Sequence, residues 1–272
     1  MAKRVIDIAR RDSRIEAGSS TFPPDLERYA ILVHFSVHTA LTQSVVRLTE
    51  QLHANGYFVV ISSACEAAGD LQWPGGPMPE NTIVVRKPNI GYDFGTAAVA
   101  LDFFPAIKTA PYVLIVNDSN AGPFVPLKDV IDDFERCRTD AWALTGSRQH
   151  GFHLQSFFLG FRNGILAEPA MSSFWRDIRH FTDKRKVILN YELGLSRLLV
   201  DEGYTIGVMY SHMQFDSAGS ANLSVNLWLD LLVAGYPFVK REIVQKPWID
   251  PTAHRVPAVV RYFFGEDIAE WL

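Results

Sequence analysis

YVLIVNDSNAGP, residues 112–123, is the stretch on which the fold turns. Tyr112–Val116 runs without a polar break and stops at Asn117–Asp118–Ser119. A run this short and this uniformly apolar is a strand buried on both faces, because a half-exposed strand would alternate. The polar tripeptide marks its carboxyl end, and Gly122–Pro123 turns the chain beside it. Working outward, Tyr29–Phe35, Tyr57–Ile61 and Thr82–Arg86 repeat the apolar pattern. Helical spacing separates them, through Val45, Leu48 and Leu52 in Thr42–Ala54 and again from Asp93 to Phe104. Buried strands alternating with helices predict an α/β fold with a mostly parallel central sheet flanked by helices. Later segments extend it: strands at Ala141–Thr145, Ser156–Phe161 and Tyr204–Tyr210, and helices at Ser172–Phe181, Glu192–Glu202 and Leu223–Ala234.

Composition sets the outer limits. The 272 residues are 48% hydrophobic, enough for a sizeable core, with a formal charge of -4 and a pI near 6.1. No basic field advertises a nucleic-acid partner. Cys65 and Cys137 lie far apart, suit neither a metal spacing nor a disulfide framework, and imply a reducing, cytoplasmic setting. No window approaches the ~20 uninterrupted apolar residues of a membrane-spanning helix. The first 25 residues are expected to be a leader that need not be ordered, ending in the small, proline-bearing AGSSTFPPD at 17–25. A short basic amphipathic helix around Ile6, Ile8 and Ala9 is the other reading of that leader. Residues 26–272 contain nothing resembling a linker and are read as one domain.

Ligands of open α/β sheets bind beyond the carboxyl ends of the strands. That rule selects three loops, Ser36–Ala40, Lys87–Phe94 and Asn117–Pro123. Asp118, flanked by Asn117 and Ser119, has the chemistry to hold a divalent cation (Mg or Mn) against a diphosphate, or simply to build a turn. Asn89, Gly91 and Asp93 in NIGYDFG (89–95) would let backbone approach a ligand at a helix start, although Asp93 equally suits an N-cap. Glu192, read as opening a helix, is a candidate general base kept ionised by the helix dipole, or merely a carboxylate favoured there. His153 and Gln155 precede a buried strand and would line an acceptor cleft. Lys240 and Arg241, or else Arg148, could contact a diphosphate, against the plainer reading of solvated surface charge. No dinucleotide fingerprint and no HExxH zinc motif is present.

Taken together and in order, NIGYDFG (89–95), VNDSNAGP (116–123), FHLQSFFLGF (152–161), YELGLSR (191–197) and Trp228 with GYPFVKRE (235–242) resemble the rhamnan synthesis protein F family of bacterial polysaccharide assembly. The resemblance implies a GT-A-like nucleotide-sugar-binding fold and a glycosyltransferase using a dTDP-rhamnose-type donor. It also implies a glycan acceptor, lipid-linked at the inner face of the cytoplasmic membrane, and hence peripheral membrane association. Counted back from Gly203–Tyr204, the place of the usual catalytic Asp in family 2 enzymes of that fold falls on Glu192. Two departures stand out: one acid rather than two in the strand-end motif, and Glu rather than Asp as base. The first keeps a non-catalytic sugar-binding subunit as the competing reading. A nucleotidyltransferase is a third, weakened by the lack of a Gly-rich basic phosphate loop.

Overall fold

The structure, a computed structural model, describes residues 2–16, 20–215 and 222–272. Its strands are β1 (Arg14–Ile15), β2 (Arg28–His34), β3 (Phe58–Ser63), β4 (Thr82–Arg86), β5 (Tyr112–Asn117), β6 (Asn120–Ala121), β7 (Ala141–Ser147), β8 (His153–Leu154), β9 (Phe158–Arg162), β10 (Ile206–Tyr210) and β11 (Val239–Lys240). Its helices are α1 (Val5–Ala9), α2 (Gln43–Ala54), α3 (Tyr92–Phe103), α4 (Lys128–Arg136), α5 (Pro169–Arg176), α6 (Lys184–Val187), α7 (Leu193–Asp201), α8 (Leu223–Asn226), α9 (Trp228–Val233), α10 (Arg241–Gln245) and α11 (Val256–Phe264).

The main sheet has the order β1-β4-β3-β2-β5-β9-β7-β10, with β8 beside β7. From β4 to β5 the pairing is parallel, as the alternation of strands and helices requires. The expectation of a mostly parallel sheet fails beyond β5. There β9 pairs antiparallel with both β5 and β7, and β1 and β8 are antiparallel too, so the sheet is mixed. The reason lies in connection length. The chain returns from β7 to β9 through residues 148–157, too few for the crossover of a dozen or more residues that a parallel pair needs. The strand-end rule survives, since β2–β5, β7 and β10 still present their carboxyl ends on one edge.

Both faces of the sheet are covered. Helix α3 is buried from Phe94 to Leu101, consistent with a helix that is apolar nearly all round. It packs one face together with α1 and α5. The other face is packed by Val45, Leu48 and Leu52 of α2, Val130, Ile131 and Phe134 of α4, and Leu223 and Leu231. A third apolar cluster forms between Ala121 of β6, Val239 of β11, and Trp228, Leu232, Val256, Val260 and Trp271.

The N-terminal segment departs from its reading as a leader, although its residues 17–19 lie outside the described residues. Val5, Ile6 and Ala9 are buried in the core, and β1 pairs with β4 at the sheet edge. Burial of those apolar groups stabilises the segment by about 25 cal/mol per Å² removed from water, which offsets the usual fraying of a terminus. Among the described residues no helix is long and apolar enough to cross a membrane.

Helix boundaries also shift. The helix expected at Ser172–Phe181 starts at Pro169 and ends at Arg176, with proline at a first-turn position where its missing N–H costs nothing. Leu223–Ala234 breaks at Leu227, whose backbone leaves helical geometry. The helix expected to open at Glu192 begins at Lys184 instead. Asp183 caps it by accepting from the Arg185 N–H at 2.9 Å, and a π turn over Ile188–Glu192 joins α6 to α7.

Candidate active site

The carboxyl edge of the sheet carries a cleft of about 380 Å³. Asp93, Asn117, Ser119, Asn120, His153, Gln155, Ser156, Lys184, Glu192 and Lys240 all line it. Three separated sequence motifs therefore meet in one place. The N-terminal end of α3 supplies Asp93, the end of β5 and the start of β6 supply Asn117, Ser119 and Asn120 but not Asp118, and the π turn supplies Glu192. The β6–β11 ladder pairs Lys240 with Asn120, so the basic pair is a neighbour of the strand-end motif and not a stray surface charge. The Arg241 N–H donates to Ser119 O at 3.1 Å, fastening the same junction.

The strand-end motif is tightly wired. Asn117 Oδ1 accepts from the Ser119 N–H and hydroxyl at 3.1 and 2.5 Å, while Asn117 Nδ2 donates to Asp93 Oδ2 at 2.9 Å. Asp118 points toward the end of β2, where its Oδ2 accepts the Phe35 N–H at 3.0 Å. The tripeptide builds a turn, the plainer of its two readings, and its one carboxylate, Asp118, lies at the strand end. Asp93 and Asp118 are each pushed up to about 6, chiefly because protein crowds them away from bulk water. Asp93 still faces the cleft by surface area; it is the crowding around it, with the charges of Asp118 and Glu192 nearby, that favours its neutral form. For Asp118 the Phe35 N–H and Arg241 work in the opposite direction.

Ser36 and Asn89 stand apart from this cleft. Ser36 Oγ accepts the His38 N–H at 2.9 Å, and the Ser36 carbonyl accepts from Glu66 N. Asn89 donates to Glu66 Oε1 at 2.8 Å. Glu66 therefore ties these two residues into a second patch on the same edge, on the far side of Asp118. Gly91 has a different use from the one expected. Its φ is +83°, and a Cβ there would lie 2.6 Å from Val5 Cγ2, so the missing side chain makes room for the N-terminal segment and not for a ligand. Asp93 is not the N-cap, which is Gly91. Gly122, at φ +118°, lets the chain pass Pro237 O, which a Cβ would approach to 2.5 Å. Arg148 follows β7 and is exposed.

Glu192 is half-buried in the π turn, not at a helix start, so the helix's positive end is not what acts on it. Its Oε2 accepts the Ser156 hydroxyl at 3.2 Å, and its Oε1 lies 3.5 Å from His153 Nε2. π turns occur disproportionately at functional sites, where they re-aim a side chain. Gln155 is held by Thr145 at 2.7 Å and donates to Asn222 at 3.2 Å.

The family profile of rhamnan synthesis protein F matches residues 80–264, a span that holds every cleft-lining residue named above. The chain belongs to that family. The family is, by its description, one of rhamnan and hence polysaccharide synthesis. Two curated relatives named virulence protein VirA, both from Vibrio anguillarum, are 27% identical over 194 residues, which is 60% of this chain and 62% of theirs. The uncharacterized protein y4gN of Sinorhizobium fredii is 30% identical over 134 residues, 47% of this chain and 35% of its own. The chain thus spans under two thirds of the length of the relatives it matches.

Some cleft residues were not singled out as site residues from the sequence. Lys184 heads α6 in the basic run KRK after Asp183, a run easily read as solvated charge. Asn120 is buried, and its Oδ1 has no hydrogen-bond partner among the described residues although it lines the cleft. Its position in NDSNAG was a usable signal. Lys87, outside the cleft lining, opens the loop that the strand-end rule selected: its buried ammonium is pushed down to about 8 and donates to Pro88 O and Ile90 O at 2.6 and 2.8 Å, shaping the loop before Asp93. His34, at the end of β2, is pushed down to about 4 by burial and by Arg241 and Arg86.

The raised Asp93 has a consequence for stability. Its folded value is about 6 against 3.8 for an ordinary aspartate, so the folded chain keeps this proton to higher pH than the unfolded chain. Ionising Asp93 therefore opposes folding as pH rises through that window. Asp93→Asn should raise the melting temperature at neutral pH, and the gain should fade as pH falls to the ordinary aspartate range. A melting temperature lowered at neutral pH would show that Asp93 is stabilised as the anion.

Proposed function

We propose that this chain is an inverting glycosyltransferase on a GT-A-like nucleotide-sugar-binding fold, a rhamnosyltransferase acting on a bacterial cell-surface polysaccharide. The observation that carries the reading is the gathering of Glu192, Lys240 and the strand-end residues Asn117, Ser119 and Asn120 in the lining of one cleft. The nucleoside sits over the patch of Ser36, Glu66 and Asn89, and the diphosphate lies beside Asp118, Lys240 and Arg241. The acceptor hydroxyl approaches along His153, Gln155 and Glu192. Its oxygen bonds to the anomeric carbon, the bond from that carbon to the diphosphate breaks, and the hydroxyl proton passes to Glu192. Lys240 and Arg241 oppose the charge that develops on the departing diphosphate.

Asp118 offers one carboxylate oxygen beyond the one bound to Phe35 N, and among the described residues no three His, Cys, Asp or Glu side chains form a metal-binding group. This donor set fits Mg²⁺ or Mn²⁺ held by one carboxylate, substrate phosphates and water. Such an ion would add to the neutralisation that Lys240 and Arg241 provide. The donor is a dTDP-rhamnose-type nucleotide sugar, and the acceptor a lipid-linked glycan met at the inner face of the cytoplasmic membrane by peripheral association.

A panel of nucleotide sugars tested for thermal stabilisation checks the reading directly. A true donor at about 100 times its Kd adds about 2.7 kcal/mol to the folded state. A dTDP-sugar should give the largest shift, and Asp118→Asn should reduce it together with its dependence on added cation. Absence of any shift across the panel would sink the proposal. Shifts without transfer to any glycan would favour the non-catalytic binding subunit, the reading kept open by the single strand-end acid.

A further inference from the structure

The two oxygens of Glu192 are both held from one short segment. Ser156 Oγ donates to Oε2 at 3.2 Å, and His153 Nε2 stands 3.5 Å from Oε1. The segment is in turn locked to the helix, because the Leu154 N–H donates to Ser196 Oγ at 3.0 Å, one turn beyond Glu192. The histidine side chain is only 7% exposed, so its ring has little freedom to turn away.

The hydrogen bonding decides its protonation. His153 Nδ1 lies 3.0 Å from Gly151 O. A carbonyl only accepts, so Nδ1 carries a hydrogen there. If the ring were neutral, Nε2 would then aim a bare lone pair at the Glu192 carboxylate. If it carries a second hydrogen, the pair is an imidazolium facing a carboxylate at ion-pair distance. The geometry points to the second state: His153 is the positioning residue of Glu192, a buried imidazolium that clamps the carboxylate while its remaining lone pairs face the cleft. This rests on the reading of Glu192 as the base of the transfer.

The surroundings are mixed in sign. Among the charged groups that line the same cleft, Asp93 and Glu242 favour the imidazolium, while Lys184 at the head of α6 and Lys240 of β11 oppose it, and His150 lies in the adjoining loop. Burial opposes it as well, and the bond to Glu192 and the Gly151 carbonyl outweigh these, so that His153 is held above the ordinary histidine value. Its folded value being raised, the imidazolium is complete below that value and is lost, with the ion pair, as pH rises through it. During transfer the acceptor's proton goes to Glu192 and leaves to water on product release; His153 keeps both of its own.

Two measurements test the assignment. Imidazole resonances of His153 followed against pH in the intact chain should give a midpoint above the ~6.5 of a free histidine. Glu192→Gln should lower that midpoint. A midpoint at or below the free value, or one unmoved by Glu192→Gln, overturns the pairing. In transfer assays, His153→Gln, which keeps a donor but cannot titrate, should lower kcat by less than the roughly 100- to 10,000-fold expected for loss of the base itself. Donor KM should stay unchanged, and the alkaline limb of the pH profile should disappear. An alkaline limb that stays at the same pH in His153→Gln also overturns it. If no nucleotide sugar is turned over by the wild type, the proposed function fails, while the resonance titration still reports on the pair.

Discussion

Glu192→Gln should abolish most transfer while leaving donor binding nearly intact, with any fall in melting temperature confined to the pH range in which His153 is charged. A sugar hydroxyl is a poor nucleophile while it keeps its proton, and losing a positioned general base typically costs roughly 100- to 10,000-fold in rate. The amide keeps a carbonyl oxygen for the Ser156 hydroxyl, so the π turn and the contact with β8 should hold. The loss should fall on kcat, because the base acts only as the new bond forms. The plainer role suggested by the sequence, a carboxylate capping a helix, has lost its footing. The chain is already helical from Lys184, and Glu192 makes no side-chain bond to the N–H groups of the following turn. Steady-state kinetics and a thermal melt on this one variant separate base from bystander. Unimpaired transfer would remove Glu192 from the mechanism.

The second large effect is on stability and comes from the segment read as a leader. Arg86, at the end of β4, forms a buried ion pair with Glu16, with side-chain exposures of 6% and 2%. Arg86 also donates to Cys65 O at 3.0 Å and to Ala67 O at 2.6 Å, and Glu16 accepts the Leu71 N–H at 2.9 Å. The pair therefore staples the N-terminal strand to the 64–71 loop, which carries Glu66 and the second edge patch. Glu16→Ala would leave the guanidinium buried without its counter-charge. Breaking a buried pair in this way costs about 3–5 kcal/mol. For a chain of this size each kcal/mol moves the melting temperature by about 2–4 °C, so the fall should be on the order of 10 °C. Glu16→Ala combined with Arg86→Met should recover much of that loss, because an apolar replacement of both partners is often near neutral. A loss under about 1 kcal/mol in urea unfolding would show the segment to be a dispensable leader after all.

Much of the framework was legible. The strands β2, β3, β4 and β5 and the helices α2 and α3 fall within a residue or two of the runs that predicted them. Strands buried on both faces have no alternative use for so many adjacent apolar side chains. Asp93, Asn117, Ser119, His153, Gln155, Glu192 and Lys240 were each marked by motif, and all seven reach one cleft. Ser36 and Asn89 were marked with them but gather around Glu66 instead.

What the sequence alone determined is the set of elements and the edge at which chemistry collects. Apolar period and strand-end polarity are local properties, and the strand-end rule carries them from pattern to place. What only the tertiary structure decided is who stands beside whom. Antiparallel β9 follows from the short return of residues 148–157, and Val5 under Gly91 from a contact between distant segments. The β6–β11 ladder that sets Lys240 beside Asn120 joins segments more than a hundred residues apart. The buried pair of Arg86 with Glu16, 70 residues apart, joins β4 to the N-terminal segment. Contacts of this kind take their free energy from burying surfaces that no local window contains, and so they leave no period or motif in the chain to be read.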